Sequence, residues 1–570
     1  MNETTIRKAL PIGVESFEDF CTDYYYYVDK TPFIRELLDK KAKVNLFTRP
    51  RRFGKTLMLS TLQYYFEKAY DWRGNPRDYK HLFEGTAIMK AGETYTRHMG
   101  QYPVISLTLK SGRQTTLESC FSMLRTAIAG EFRRHNFIDG SGCLIPREEK
   151  MFRSLRDEEA DISEYKKSLR FLSECLERYY GRNVIILIDE YDVPLENAFS
   201  CGFYPEMVDF IRELLGNALK TNPHLYFAVL TGCLRISKES IFTGLNNLDV
   251  QSILSMDYGE YFGFTEAEVA AMCRYYQLED KLDELKDWYD GYTFAGVNVY
   301  NPWSTIKYVR DHVSKHDAYP VSYWANTSSN SIVRDLILRA DDETRGEIEH
   351  LIAGGTICKP IHEDITYDEV YKTMDNLWNF MFFTGYFKQV GIQFDEMFKK
   401  AYASLTIPNG EVEYIFREKV TGWFQEKVQE TDRSTLFSAL TGEDAAAFEK
   451  ELADLLVQTI SFYDFQENFY HGFVAGVLTG MKGYMVRSNR EAGYGRSDLF
   501  VKPVRRDRTA YVLEFKIADS IPDLIPKAEE AIAQIEARNY AQELYDDGYI
   551  EVHKYGISFF KKNCHVTFAD

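Results

Sequence analysis

The spacing of apolar residues changes along this chain, and each change marks an element. Val44-Asn45-Leu46-Phe47-Thr48 is a short strand-like run. Beyond Lys55, Leu59, Leu62 and Phe66 fall at spacings of three and four, which predicts a helix. Pro103–Leu109, Asn183–Ile188 and Leu225–Thr231 read as further strands. Within the second of these, Val184 to Ile188 is uninterrupted by a polar residue, as in a strand covered on both faces of a parallel sheet. Helical segments near 116–135, 163–180 and 206–220 alternate with these strands. Residues 1–264 therefore read as an α/β domain, a parallel sheet with crossover helices. Residues 265–450 carry mostly helical periodicity, broken at Gly291, Pro302, Pro320, Gly354-Gly355 and Pro408-Asn409-Gly410, and are expected to form a middle or lid region. Trp288–Tyr292 and Val299–Trp303 form an aromatic-rich pair of turns there. In residues 451–570 a helix-like stretch at 467–473 precedes two strand-like runs, Asp498–Val501 and Ala510–Leu513, and then a helix from Ala531 to Tyr540. This is the pattern of a smaller α/β domain.

A chain of 570 residues is too long for one ordinary core, which fits two or three domains. No apolar run reaches the length of a transmembrane helix, and the N-terminus lacks the basic start and apolar core of a signal peptide, so a cytoplasmic location is expected. The nine cysteines are dispersed without a C-x-x-C pair, which favours free thiols over disulfides or zinc ligands. The formal net charge of −18 excludes nucleic-acid binding through the whole surface. A local patch remains: residues 482–516 hold nine Lys/Arg (Lys482, Arg487, Arg490, Arg496, Lys502, Arg505, Arg506, Arg508, Lys516) against four acids.

Strand, tight loop, Gly54-Lys55-Thr56 and helix in succession is the setting of a phosphate-binding loop. Backbone N–H groups at the helix start cradle phosphates, the Lys55 ammonium reaches the outer phosphates, and the Thr56 hydroxyl binds Mg²⁺. The full glycine pattern would put Gly five residues before Gly54, where Arg49 stands. Arg49, Arg51 and Arg52 make the loop cationic and add charge-assisted phosphate contacts. The apolar run that ends at Ile188 leads into Asp189-Glu190. Asp189 at a strand tip suits Mg²⁺ or its waters, and Glu190 beside it suits polarising the attacking water. Thr231 ends another strand and is expected to face the γ-phosphate. Arg235 follows it, read as a transition-state cation in cis or across a subunit boundary, or else as a surface arginine.

A second constellation lies near the C-terminus. Glu514 and Lys516 are two apart and share one face of a strand, and Asp498 comes from its neighbour. Asp498, Glu514 and the Phe515 carbonyl would make an oxygen cage for Mg²⁺. Lys516 would orient or deprotonate water, or steady developing phosphate charge. Glu467 lies one helical turn before His471 and would supply a further acidic ligand.

Leu10-Pro11-Ile12-Gly13, Tyr27-Val28-Asp29-Lys30-Thr31, Arg49–Thr56 and Leu187-Ile188-Asp189-Glu190-Tyr191-Asp192 together resemble the bacterial AAA-ATPase-like proteins that carry a C-terminal PD-(D/E)XK nuclease domain. The resemblance spans residues 5–305 and 460–565. It implies that an arginine-rich loop replaces the glycine-rich one. It implies a restriction-endonuclease-like fold for the C-terminal domain, with Ser497-Asp498 and Glu514-x-Lys516 as the nuclease pattern, Mg²⁺ or Mn²⁺ as its metal, and help from Gln534 and Tyr540. The chain is thus expected to bind and hydrolyse ATP and to couple this to cleavage of DNA in defence or repair, as a monomer or homo-oligomer. The alternative is a nucleotide-gated switch whose C-terminal domain binds nucleic acid or protein without cutting.

Overall fold

Five short apolar runs lie side by side in the N-terminal part of the computed structural model, which describes residues 7–71, 74–235, 242, 246–324, 331–363, 365–397, 399–419, 432–458, 467–488 and 498–569. In chain order the elements are β1 (Val44–Thr48), α1 (Lys55–Phe66), β2 (Val104–Thr108), α2 (Leu117–Arg134), α3 (Ser168–Tyr180), β3 (Val184–Asp189), α4 (Val193–Cys201), α5 (Tyr204–Leu219), β4 (Leu225–Gly232) and β5 (Leu248–Gln251). All neighbouring strands are parallel, in the order β2-β3-β4-β1-β5. Every residue of β1 and β3 is buried, as their apolar runs require of strands covered on both faces. The helices are patterned to cover them: Leu169, Leu172, Cys175 and Leu176 of α3 recur at helical spacing and are buried.

Strand order matters for chemistry, because β4 lies between β1 and β3. Thr48 pairs with Gly232 and Ile188 with Leu230, so the C-terminal tips of all three strands meet at one edge of the sheet. That edge is where open parallel sheets bind ligands. Gly232 is required there: a Cβ at this position would sit 2.5 Å from the Tyr191 ring.

The chain divides into two compact units. Residues 1–329 and 356–414 make the first; residues 330–355 and 415–570 make the second. Helices dominate the later part of the first unit, among them Glu266–Tyr276, Leu282–Tyr289 and α6 (Pro302–Ser314). Asn301 caps α6 by accepting from the Trp303 and Ser304 N–H groups. A three-stranded antiparallel sheet, β6 (Ile357–Ile361), β7 (Lys388–Asp395) and β8 (Lys400–Thr406), adds to the helical periodicity read for 265–450, in the order β6-β8-β7.

In the second unit, helices Ser434–Thr441, Ala445–Gln458 and α7 (Glu467–Leu478) precede β9 (Tyr484–Ser488), β10 (Leu499–Pro503), β11 (Ala510–Ile517), α8 (Leu524–Ala537), β12 (Val552–Phe560) and β13 (Asn563–Ala569). The strands lie in chain order; β11 and β12 are parallel and the other pairs antiparallel. Parallel neighbours need a crossover, and α8 supplies it. One sheet face buries Tyr511, Leu513 and Phe515 against Tyr470, Phe473 and Val477 of α7. The other buries Ala510 and Val512 against Ile535 of α8. Among the described residues no helix is long and apolar enough to cross a membrane. All nine cysteines are free.

Candidate active sites

The loop from β1 to α1 turns on Gly54, whose φ of 81° starts the helix in a conformation that glycine adopts without strain. Lys55 is 6% exposed, and its Nζ donates to the carbonyls of Arg49 (2.9 Å) and Pro50 (2.8 Å). Thr56 Oγ1 donates to Asp189 Oδ2 at 2.7 Å, and Thr231 Oγ1 donates to Asp189 Oδ1 at 2.5 Å. One carboxylate thus ties together the helix start, the tip of β3 and the tip of β4. Glu190 follows in a left-handed conformation (φ 50°), which turns its side chain out of the strand line. Burial, and then the Asp189 charge, push its carboxyl above the usual range against the pull of Lys55 and Lys110. Asp192 Oδ2 accepts from the backbone N–H groups of Cys233 (2.7 Å) and Leu234 (3.1 Å), pinning the turn after β4.

A cavity of about 380 Å³ opens above this edge. Its lining includes Arg51, Arg52, Gly54, Lys55, Thr56 and Glu190 together with the rings of Tyr26, Tyr27, Phe264 and Trp303. Charged groups and aromatic rings lining one cavity suit a nucleotide's phosphates and base. The three loop arginines divide. Arg52 stacks over the Trp303 ring at 4.4 Å, and Arg51 pairs with Glu196. Arg49 does not line the cavity. It is fully buried, donates from Nη1 to the carbonyls of Thr48 (2.9 Å) and Gln251 (2.6 Å), and lies against the Phe262 and Phe294 rings. Burial pushes its guanidinium down to about 9. The residue that replaces the first glycine braces the loop from beneath, where phosphate contact was expected. Arg235 also lies off the cavity lining, with Nη1 3.8 Å from Glu363.

Sequence reading missed Glu15, Lys110 and Trp303, all of which line the cavity. Lys110 follows β2, pairs with Glu15 at 2.9 Å, and acts electrostatically on Glu190. No local motif marks it. Only the β2–β3 pairing, which sets Thr108 beside Asp189, brings it there.

The C-terminal constellation closes as a chain of polar contacts. Asp498 N–H donates to Glu514 Oε2 (3.2 Å), and Phe515 N–H donates to Asp498 Oδ2 (2.8 Å). Gln534 of α8 donates to Glu514 Oε1 and accepts from Lys516 Nζ at 2.6 Å. His471 Nε2 donates to the Asp498 carbonyl at 2.7 Å. Asp498, Glu514, Lys516 and Gln534 therefore come together. Tyr540 packs instead in the apolar cluster with Ala510 and Val512. Glu467 begins α7, and its side chain lies outside the described residues. The basic patch is smaller than its residue count. Lys502 is 3% exposed and holds Asp547 (2.8 Å) and Glu543 (3.5 Å), and Arg505 pairs with Asp507. Arg490 and Arg496 lie outside the described residues.

Both donor sets are hard oxygens, the kind that suits Mg²⁺: the Thr56 hydroxyl with Asp189, and the carboxylates of Asp498 and Glu514. Among the described residues no three carboxylate, imidazole or thiolate groups converge on one point, so a metal at either place would take further ligands from phosphate or water.

Two family models match this chain, one over each of these regions. Residues 11–242 match a family described as predicted AAA-ATPase, and residues 465–569 match the PD-(D/E)XK nuclease superfamily. The chain carries a predicted AAA-ATPase domain followed by a PD-(D/E)XK nuclease superfamily domain. The first match takes in β1 to β4 with Lys55, Asp189 and Thr231, and the second takes in Asp498, Glu514 and Lys516. A protein of Azotobacter chroococcum mcd 1, described as "Uncharacterized protein in vnfD 5'region", is 27% identical over 564 residues, covering 97% of this chain and 96% of its own. The likeness thus runs through the middle region as well as the two domains.

Proposed function

We propose that this protein hydrolyses ATP at the sheet edge of its first unit and cleaves DNA phosphodiesters, with a divalent metal, in its second. The observation that carries the ATPase half is the Asp189 carboxylate shared by Thr56 and Thr231. In this reading Lys55 leaves the Arg49 and Pro50 carbonyls for the outer phosphates, a stronger charge-assisted contact. Mg²⁺ would be held by Thr56 and Asp189 and would neutralise phosphate charge. Glu190 accepts the proton of the attacking water, and its raised pKa makes it a better base than an ordinary carboxylate. Thr231 keeps Asp189 aimed. Arg235 serves as the transition-state cation once it leaves Glu363.

In the second unit Asp498 and Glu514, with Glu467 as a further ligand, would hold Mg²⁺ or Mn²⁺, which activates water and offsets phosphate charge. Gln534 fixes Glu514 and aims the Lys516 ammonium, which steadies charge on the phosphate. Defence or repair is the setting such a pair of activities would serve.

The test is incubation with plasmid and single-stranded DNA, with Mg²⁺ or Mn²⁺, with and without ATP, beside Asp498→Ala and Lys516→Ala. Metal-dependent cleavage lost in both variants supports the reading, and dependence on ATP supports coupling. Cleavage equal to wild type in both variants refutes the site. One observation favours a second reading, a nucleotide-gated switch: Lys55 is already satisfied by its own loop. Tight ATP binding with turnover unchanged by Glu190→Gln would select it.

A further inference from the structure

A second concavity lies in the nuclease unit, away from the polar chain at Asp498. It has a volume of about 620 Å³ and is formed where helix Ser434–Thr441 meets the turn between α7 and β9. Three cations line it, Arg433, Lys482 and Arg508, with the aromatic rings of Phe437 and Tyr484. The single acid is Asp432, whose Oδ1 accepts from the Ser434 N–H at 2.9 Å. Positive charge therefore dominates the groove in a protein of net charge −18.

Two glycines flank Met481-Lys482 in this turn, and Gly480 lines the groove. Gly480 and Gly483 have φ of 92° and 83°. A Cβ on Gly480 would lie 3.5 Å from Arg433 Nη2, and one on Gly483 would lie 3.6 Å from Arg508 Nη1, so side chains there would fill the space beside both guanidiniums. Arg433 is fixed in place. Its Nη1 donates to the carbonyls of Val477 (2.7 Å) and Thr479 (2.8 Å), and its guanidinium lies over the Phe437 ring at 5.4 Å. Lys482 and Arg508 are exposed, and among the described residues no carboxylate forms an ion pair with either.

Distance relates this groove to the nuclease cluster. Tyr484 is at one end of β9 and Ser488 at the other, opposite Leu499, which follows Asp498. Four strand steps make about 13 Å at ~3.3 Å each. α7 spans the same interval: His471 touches Asp498, and the helix ends at Leu478, about 10 Å further at ~1.5 Å per residue. Stacked nucleotides rise ~3.4 Å each, so roughly four separate groove from cluster.

We propose that this groove grips a single polynucleotide strand, phosphates on Lys482 and Arg508 and bases against Phe437 and Tyr484, and delivers it to the cluster about four nucleotides away. Cations beside aromatic faces are the general chemistry of single-strand binding. The proposal rests on the nuclease reading of the second unit.

The test uses the full-length chain and the double variant Lys482→Ala/Arg508→Ala, with thermal melting to show that folding is retained. Binding of a labelled single-stranded DNA oligonucleotide, its RNA counterpart and a duplex is measured in EDTA across salt concentrations. The double variant should bind single strands about tenfold more weakly, with a slope of log K against log salt lower by ~1.4, since each single-strand contact contributes ~0.7. With metal restored, it should cut long strands more slowly than wild type, and fragments under about four nucleotides at the wild-type rate. Lys482→Arg/Arg508→Lys should restore both. Unchanged affinity and slope overturn the groove, as does competition by polyglutamate equal to that of the oligonucleotide. Wild-type cleavage abolished by Asp498→Ala, alongside an unaffected double variant, ends this proposal and spares the nuclease reading. Failure of the wild type to bind any polynucleotide ends both.

Discussion

Thr231→Val removes one hydroxyl, which donates to Asp189 and accepts from the Glu190 N–H. Valine is β-branched and similar in shape, so β4 keeps its packing, and Thr231 is 1% exposed, so no water replaces the lost donor. Asp189 Oδ1 then loses its 2.5 Å hydrogen bond and the Glu190 N–H its long 3.4 Å acceptor, while Oδ2 keeps the bond from Thr56. A hydrogen bond to a charged group contributes roughly 1.5–3 kcal/mol. If Asp189 serves by holding its carboxylate at one angle, that loss falls on the chemical step, and kcat drops ~10- to 150-fold at 1.36 kcal/mol per factor of ten. ATP affinity should change little, because Lys55 and the loop amides are untouched. Thr231→Ser, which restores the hydroxyl, should recover most of the rate. Phosphate release at saturating ATP and Mg²⁺ gives kcat, and fluorescent-nucleotide titration gives affinity. Wild-type kcat in Thr231→Val would refute the role given to the shared carboxylate. So would a loss confined to affinity.

Glu190 must be ionised to accept a proton, and burial raises its pKa, so ATP turnover should fall on acidification at a pH above the ordinary glutamate value of 4.5. A pH–kcat profile that stays flat down to 4.5 would contradict this. Glu411 is fully buried, accepts from Ser304 Oγ and the Trp324 N–H, and is pushed up by burial to about 7. Its folded pKa is raised, so the stability it contributes is complete below about 4.5 and is lost as pH rises towards 7, by ~3 kcal/mol at most. Glu411→Gln should therefore gain in melting temperature over wild type across that window, and an equal difference at both ends would refute the assignment. Arg49→Leu should lower the melting temperature, since two backbone carbonyls lose their donor at ~1–3 kcal/mol each, and should weaken ATP binding less than Lys55→Ala does. Gln534→Leu should cut DNA cleavage sharply without altering ATP turnover, because it takes one hydrogen-bond partner from both Glu514 and Lys516; a plasmid-nicking assay beside phosphate release checks it.

Much of the fold was legible because it rests on local periodicity. Val44–Thr48 and the run ending at Ile188 read as strands because they are short, mostly apolar and rich in β-branched and aromatic residues, and both are buried throughout. The sheet β6–β8 escaped the same reading. Val390, Ile392 and Phe394 alternate along β7 but are exposed, so their pattern lacked the buried face that makes alternation a strong signal.

The two polar centres show where sequence stops. Gly54-Lys55-Thr56, Asp189-Glu190 and Glu514-x-Lys516 stood out as candidates from sequence alone, because each set lies at short, fixed spacing along the chain. Strand order decided the rest. It set Thr231 against Asp189 from 42 residues away, carried Lys110 to the cavity, drew Gln534 onto Glu514, and turned Arg49 into a brace beneath the loop. These are pairings across elements. Their partners are selected by which strands lie side by side and which side chains lose water there, and spacing along the chain carries neither.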